Sequence, residues 1–149
     1  MAAAMPFSPC DDVTSCTDHS VDMLRSIFGP VIDALATGAD PDTVSAASNV
    51  IATMMSFFNS GILIVGTLIV SYVAAMGTIN TANDGEAMGR NWSSLWTPVR
   101  IVAGGAVLLP TASGYSFIQL VVLMFALWGV GFANGTYKTG MAIGVLSPD

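Results

Sequence analysis

Two cysteines and the only histidine of the chain lie close together near its N-terminus, and these residue types can form a cross-link or bind a metal. Cys10 and Cys16 are separated by five residues, and His19 follows in the same acidic segment. Outside the cytoplasm we expect a disulfide, which closes a loop of about seven residues and stabilises the fold by roughly 2.4 kcal/mol in the chain-entropy model. A metal site with His19 is the alternative, although Cys-x5-Cys-x2-His is not a typical zinc spacing. Free thiols are the third option.

The same residues and one carboxylate pair are the candidates for catalysis. Cys16 and His19 could act as nucleophile and base, but no third group is present to orient the histidine. Asp84 and Glu86 could exchange protons as a carboxylate pair. Because Arg90 follows them closely, a solvated and charge-balanced turn is the simpler interpretation.

Nothing in the chain resembles a nucleotide-binding loop. Gly104 and Gly105 are adjacent, but they lie in an apolar stretch and no lysine follows them as it does in a phosphate-binding loop. The sequence therefore predicts a protein that is not an enzyme, with no metal and no cofactor. Bound phospholipid is the one small molecule that remains open.

Two arginines flank a pair of tryptophans in the middle of the chain. Trp92 and Trp96 are four residues apart and therefore share a helix face, and indole rings favour the membrane–water interface. Arg90 and Arg100 bracket them. A charge near lipid depth needs water, an anion or a partner, so these arginines either bind lipid headgroups, line a conduit or extend to the interface. The positive-inside rule places this connection in the cytoplasm and both chain ends outside.

The elements that must position these residues are set by two long stretches without any charge. No Lys, Arg, Asp or Glu occurs from Thr43 to Asn83, nor from Ile101 to Tyr137. A helix in water needs a polar face, whereas about 20 apolar residues cross a hydrocarbon core of about 30 Å. Charged residues are 9% of the chain, against about 25% in soluble domains. The composition therefore indicates a membrane protein.

The charge of the chain is concentrated in its N-terminal part. The formal net charge is −6, and residues 1–42 carry seven aspartates against the single Arg25. The rest of the chain is neutral and has no basic patch, which excludes a specific reader of duplex DNA. The sequence divides into an acidic cysteine-containing arm, an amphipathic helix, a helical membrane or assembly domain and a short tail, at residues 1–19, 20–38, 43–137 and 138–149.

The amphipathic helix is predicted from apolar residues that recur every three or four positions between Ser20 and Thr37. Ser20 is its expected N-cap, Gly38 its expected end, and Pro30 should kink it by removing one backbone hydrogen bond. Such a helix lies on lipid headgroups, on a partner, or on its own chain.

A long helix and a broken helix follow. The first is expected to be capped by Asp42 or Thr43 and to run to about Ile79. The second element is interrupted between Pro110 and Gly114, after which Tyr115–Asn134 is apolar and long enough for one span. The predicted fold is all-α: a membrane-type hairpin of one long helix and one broken helix, preceded by the short amphipathic helix.

Small residues mark the expected helix-packing surfaces. Thr67, Ser71 and Ala75 recur every four residues on the long helix, and Gly131 and Gly135 form a Gly-x-x-x-Gly pair on the second. Small side chains let helix backbones approach closely in a membrane. We therefore expect these five residues to mediate packing between copies of the chain.

Several short motifs resemble the N-terminal membrane region of the DotA/TraY family. They cover about residues 45–137, and the most specific is Trp-Ser-x-x-Trp-x-Pro-x-Arg at residues 92–100. The others are Leu-Pro at 109–110, Ser-Gly-Tyr-Ser at 113–116 with Gln119, and Gly-Val-Gly-Phe-Ala-Asn at 129–134. The resemblance implies a polytopic inner-membrane component of a type IVB secretion or conjugation system. Members of that family are much longer, with further spans and a large periplasmic domain.

The sequence also resembles conjugative pilins in having two long apolar helices joined by a short arginine-bearing connection. This resemblance implies a tube of packed helices, often with bound phospholipid, in which the connection faces the lumen. The expected function is thus a structural, homo-oligomeric subunit of a conduit for DNA or protein, in contact with lipid and other secretion subunits. It would reside in the inner membrane with a periplasmic arm, or outside the cell as a pilus. A holin-like permeabilising protein and a transporter fragment are the alternatives.

Overall fold

This computed structural model describes residues 7–9, 18–85 and 96–144, and within them the regular secondary structure is helical, with no β-strand. Five α-helices occur there, in the order α1 (His19–Phe28), α2 (Val31–Thr37), α3 (Val50–Asp84), α4 (Trp96–Leu108) and α5 (Phe117–Ala142). Two short 3₁₀ turns at Pro41–Thr43 and Ala46–Ser48 join α2 to α3. The all-α prediction is confirmed.

The predicted amphipathic helix is two helices rather than one kinked helix. Gly29 ends α1 with φ +79°, and Pro30 begins the next turn without a backbone N–H to offer. The expected cap at Ser20 is wrong, because the side chain of Asp18 accepts the backbone N–H groups of Ser20 and Val21. The helix end at Gly38 is confirmed, and this glycine adopts the left-handed conformation.

The long helix starts later than predicted. Asp42 and Thr43 lie in a 3₁₀ turn, and the N-cap of α3 is Asn49, whose side chain accepts the backbone N–H of Ile51. From there α3 runs for 35 residues to Asp84, past the expected end at Ile79. At 1.5 Å per residue it is about 52 Å long.

The predicted interruption near Pro110 is confirmed. Between α4 and α5, Pro110 and Ser116 form an isolated antiparallel bridge, and Gly114 turns with φ +88°. The Gln119 side chain then accepts the backbone N–H of Ser116 at 2.9 Å, which satisfies a donor at the start of α5. We call residues 110–116 the break loop.

The core lies between α5 and the α1–α2 pair. On α5 the residues Leu120, Leu123, Leu127 and Gly131 are buried, and they fall on one helix face because of their spacing. They meet buried apolar residues of the helix pair and of α3, namely Val21, Val31, Ile32, Leu35, Ala36 and Ala52. The amphipathic helices therefore bury their apolar side on their own chain, rather than on lipid headgroups or a partner.

Two helices, α3 and α5, are long and apolar enough to cross a membrane. They differ in how much of them the chain covers: 6% of the most apolar window of α3 is buried, against 22% for α5. The core helix of a soluble protein can pass the same test of length and hydropathy, but it is mostly buried. The low burial of α3 distinguishes it from such a helix.

The close approach of Gly114 to α3 gives a first prediction. A Cβ at Gly114 would lie 2.4 Å from the carbonyl oxygen of Ala52, and its positive φ disfavours any side chain. Gly114→Ala should therefore lower the free energy of unfolding by about 1–3 kcal/mol, measured by thermal melting in detergent. Gly104→Ala is the control, because its Cβ meets nothing within 4 Å, and it should be neutral or stabilising by up to about 1 kcal/mol. Equal stability of the two variants would contradict this close contact.

Candidate functional site

A reciprocal pair of side-chain amides ties the break loop to the long helix. The Asn59 amide nitrogen donates to the carbonyl of Gly114 at 3.1 Å and to Gln119 Oε1 at 3.0 Å, and Gln119 returns a bond to Asn59 Oδ1 at 3.2 Å. Asn59 is only 3% exposed. Because these amides satisfy each other and the loop backbone, an interrupted helix can pack in an apolar setting. We call this arrangement the amide clamp.

A buried tyrosine connects the break loop to α1. Tyr115 is 2% exposed, its hydroxyl donates to the carbonyl of Phe28 at 3.0 Å, and the two rings meet edge to face. That carbonyl belongs to the last residue of α1, where helix carbonyls lack intrahelical partners.

The start of the membrane-type hairpin is held to the same loop by backbone contacts. The backbone N–H of Ala112 donates to the Asp42 carboxylate at 3.1 Å, and the N–H of Ala46 donates to the carbonyl of Ala112 at 3.0 Å. Asn49 also donates to the carbonyl of Ile27 at 3.3 Å. Elements far apart in sequence therefore meet at the break loop.

The opposite end of α1 is fixed to α5 by a carboxylate. Asn134, on α5, donates to Asp18, which also caps α1. These hydrogen bonds, with that of Asn134 the largest, hold the pKa of Asp18 below its ordinary value. Since the last residue of α1 meets Tyr115 and its cap meets Asn134, α1 runs antiparallel to α5.

The small residues predicted on α3 lie on its free side. Thr67, Ser71 and Ala75 are all exposed, whereas the buried positions Asn59 and Gly77 lie on the opposite side of the helix. Thr67 and Ser71 satisfy their hydroxyls within the helix, each bonding the carbonyl four residues earlier at 2.8 Å. This ridge is open to a neighbouring molecule.

The two glycines predicted to pack between chains lie in different surroundings. Gly131 is buried, and a Cβ there would lie 1.8 Å from the carbonyl oxygen of Phe7, so its close contact is within the chain. The expectation of an intermolecular role for Gly131 is corrected accordingly. Gly135 is exposed, and a Cβ there would meet nothing within 4 Å.

An apolar groove of about 1040 Å³ runs along α3 beside the end of α4. Phe57 and Phe58 are 85% and 58% exposed at its edge. Gly61 and Gly66 also line the groove, and a Cβ at either position would meet nothing within 4 Å. The groove has no charged residue in its lining. Together with the ridge, it forms an uncharged surface on the part of α3 that the described residues leave uncovered.

Only part of the predicted arginine and tryptophan cluster can be placed. Trp96 is 63% exposed at the start of α4, and Arg100 is exposed one turn later. Arg90 and Trp92 lie outside the described residues, as do Cys10 and Cys16 of the predicted disulfide. Among the described residues, no three His, Cys, Asp or Glu side chains are grouped so as to hold a metal ion.

The residues that organise this region were not singled out from the sequence. Asn59 is the one amide in the apolar middle of α3. Its isolation in an uncharged stretch is the sequence feature that indicates a structural role. Gln119 and Asn134 belong to the motifs of the family resemblance, but those motifs assign no partner to either residue. The contact between Asp18 and Asn134 joins residues 116 positions apart, which no local pattern reveals.

No protein-family model, no curated protein and no solved structure matches this chain. The architecture itself therefore defines the class: an all-helical protein with two helices long and apolar enough to cross a membrane.

Removal of the amide clamp gives a second prediction. Asn59→Ala leaves the Gly114 carbonyl and the Gln119 amide without their partner, which should cost about 1–3 kcal/mol of unfolding free energy. Asn83→Ala, at an exposed position of the same helix, should stay within about 0.5 kcal/mol of wild type. In a double-mutant cycle, Asn59→Ala with Gln119→Ala should cost less than the sum of the single changes. Strict additivity would show that the two amides act separately.

The Asp18–Asn134 contact gives a third prediction, on pH. Because folding lowers the pKa of Asp18 from 3.8, its stabilising contribution is complete well above pH 3.8 and is lost as the pH falls towards the folded value. Asn134→Ala should lower the melting temperature near neutral pH, and the difference from wild type should shrink below pH 3.8. Melting curves across this pH range test the point, with Asn83→Ala as the control. A difference that is independent of pH would refute the role of the carboxylate.

Proposed function

We propose that this protein is a structural, non-enzymatic subunit that assembles with copies of itself into the conduit of a type IVB conjugation or secretion apparatus. The conduit would be an inner-membrane channel or a pilus, and it would carry DNA or protein. Membrane lipid and other subunits of the apparatus are the proposed partners. The resemblance of residues 45–137 to the DotA/TraY family supplies the type of apparatus.

The exposure of α3 is the observation that carries this proposal. Only 6% of its most apolar window is buried, and no charged residue occurs between Val50 and Asn83. A bare apolar helix of this length is unstable in water and must be covered by lipid or by other protein. A single copy offers no further described element to cover it, so the surroundings must do so.

The nature of the exposed surface favours self-assembly over simple immersion in lipid. The ridge of Thr67, Ser71 and Ala75 is an exposed row of small side chains beside the apolar groove, and Phe57 at the groove edge lies on the same helix side as Ala75. Lipid covers any apolar surface, but close helix contacts in membranes use small residues.

A fourth prediction tests the ridge. Ser71→Leu adds bulk where backbones should approach, so it should abolish assembly while leaving membrane insertion intact. Ser71→Ala is the matched control, because it removes the hydroxyl but keeps the small side chain, and it should assemble normally. Membrane fractionation measures insertion, and crosslinking with negative-stain imaging measures assembly. Normal oligomers of Ser71→Leu would exclude the ridge as the assembly surface.

The same preparations separate the proposal from its alternatives. A holin-like protein would permeabilise the inner membrane when expressed alone, whereas a conduit subunit should leave it sealed without the remaining apparatus. A transporter fragment would stay a monomer in mild detergent. Either result would exclude the conduit.

A further inference from the structure

The environment of α5 differs from that of α3 because α1 and α2 lie along it. We infer that lipid does not surround α5 on all sides. The polar side of α1–α2 faces water alongside the apolar segment of α5, and the opposite side of α5 is shielded from water. The assignment of that water to a transfer passage rests on the proposed function.

The position of α1 relative to α5 is fixed by contacts at both ends. The cap residue Asp18 meets Asn134, near the end of the apolar part of α5, and the last residue Phe28 meets Tyr115, just before α5 begins. Between these points, Val21 belongs to the core that includes Leu123 and Leu127. Any medium that surrounds this part of α5 therefore also meets α1.

Charged groups lie on the outer side of this layer. Arg25 binds Asp33 through Nε at 2.8 Å and Asp22 through its guanidinium at 3.1 Å. The side chains of Asp22, Arg25 and Asp33 are 50%, 32% and 36% exposed, so all three charged groups are partly open to the surroundings. Charged side chains at the lipid-facing centre of a bilayer cost about 2.5–3.5 kcal/mol each on insertion scales. Water on this side avoids that cost.

The opposite side of α5 has the reverse character. Val122, Phe125 and Phe132 are 60%, 58% and 62% exposed, and they lie across the helix from the buried Leu123 and Leu127. No charged residue occurs in α5 before Lys138. The helix thus separates an aqueous side, covered by α1–α2, from an apolar side that lipid or a second copy must cover.

In the proposed conduit this arrangement makes α1–α2 the inner wall. Asp22 and Asp33 outnumber Arg25 there, so the described part of the wall has a net negative charge. An acidic wall repels a nucleic-acid backbone or an acidic protein and so opposes its adhesion during passage.

Cysteine labelling of the assembled protein in inner-membrane vesicles tests this inference, since only a thiol in contact with water ionises and reacts. The background carries Cys10→Ser and Cys16→Ser and must first form oligomers like wild type. Ser26→Cys and His19→Cys report on the polar side, and Phe125→Cys on the opposite side. Ala47→Cys, in an exposed polar turn, is the water reference, and Leu68→Cys, 66% exposed on α3, is the apolar reference.

With a small membrane-impermeant maleimide, we expect Ser26→Cys and His19→Cys to react like Ala47→Cys. Phe125→Cys, like Leu68→Cys, should remain unlabelled until detergent and urea are added. Labelling of Phe125→Cys as fast as Ser26→Cys would overturn the inference, because α5 would then be free in bulk water. Protection of both polar-side positions would also overturn it, because their side would then be covered.

The size of the reagent tests the passage separately. A polyethylene glycol maleimide chosen to be wider than the extended chain that the conduit would carry should fail to label Ser26→Cys in the oligomer and should label it once the oligomer is dissociated. Equal access in both states would overturn the placement in a passage. Failure to form any oligomer would instead refute the proposed function, while the contrast between Ser26→Cys and Phe125→Cys would still decide which side of α5 meets water.

Discussion

The fold depends on how the backbone of an interrupted helix is satisfied in apolar surroundings. Between α4 and α5 the regular helical hydrogen bonds stop, and every free N–H and C=O of the break loop needs another partner. Asn59 supplies one for Gly114, Gln119 for Ser116 and the Asp42 carboxylate for Ala112. Each partner comes from a different element, so satisfying the loop also fixes the positions of the Pro41–Thr43 turn, α3 and α5 around it.

The two halves of the chain use their apolar residues differently. Around the break loop, α1, α2 and one side of α5 form a conventional core with Ile32 and Leu127 at its centre, both fully buried. Along α3 there is almost no core, although its composition is equally apolar. The molecule therefore combines a part that folds on its own contacts with a part whose stability depends on the medium or on sister copies.

Much of the fold could be read from local patterns. The uncharged stretches predict α3 and α5, Gly38 predicts a helix end, and Pro110 with Gly114 predicts the interruption before α5. These features depend on a few neighbouring residues, and side-chain periodicity or a fixed φ is enough to reveal them.

The remaining features depend on partners distant in sequence. The cap at Asp18 competes with Ser20 in any local rule, and the choice follows from where Asn134 lies. In the sequence, Asn59 resembles any polar residue in a long helix. Its role depends on a hydrogen bond to Gly114, which lies 55 positions away in the chain. The intramolecular role of Gly131 likewise depends on Phe7, because a glycine pair has the same spacing whether it faces its own chain or another.

The contact of Phe7 with Gly131 has a thermodynamic consequence for the acidic arm. Phe7–Pro9 lies against α5 at Gly131, with the Phe7 ring edge-on to Phe132, and Asp18 returns to the same helix less than one turn later at Asn134. Tertiary contacts therefore hold both Phe7–Pro9 and Asp18 to neighbouring positions of α5. The predicted covalent link between Cys10 and Cys16 would restrict mainly the unfolded chain. Its reduction would therefore leave Phe7–Pro9 attached to α5 and would change mainly the unfolding equilibrium.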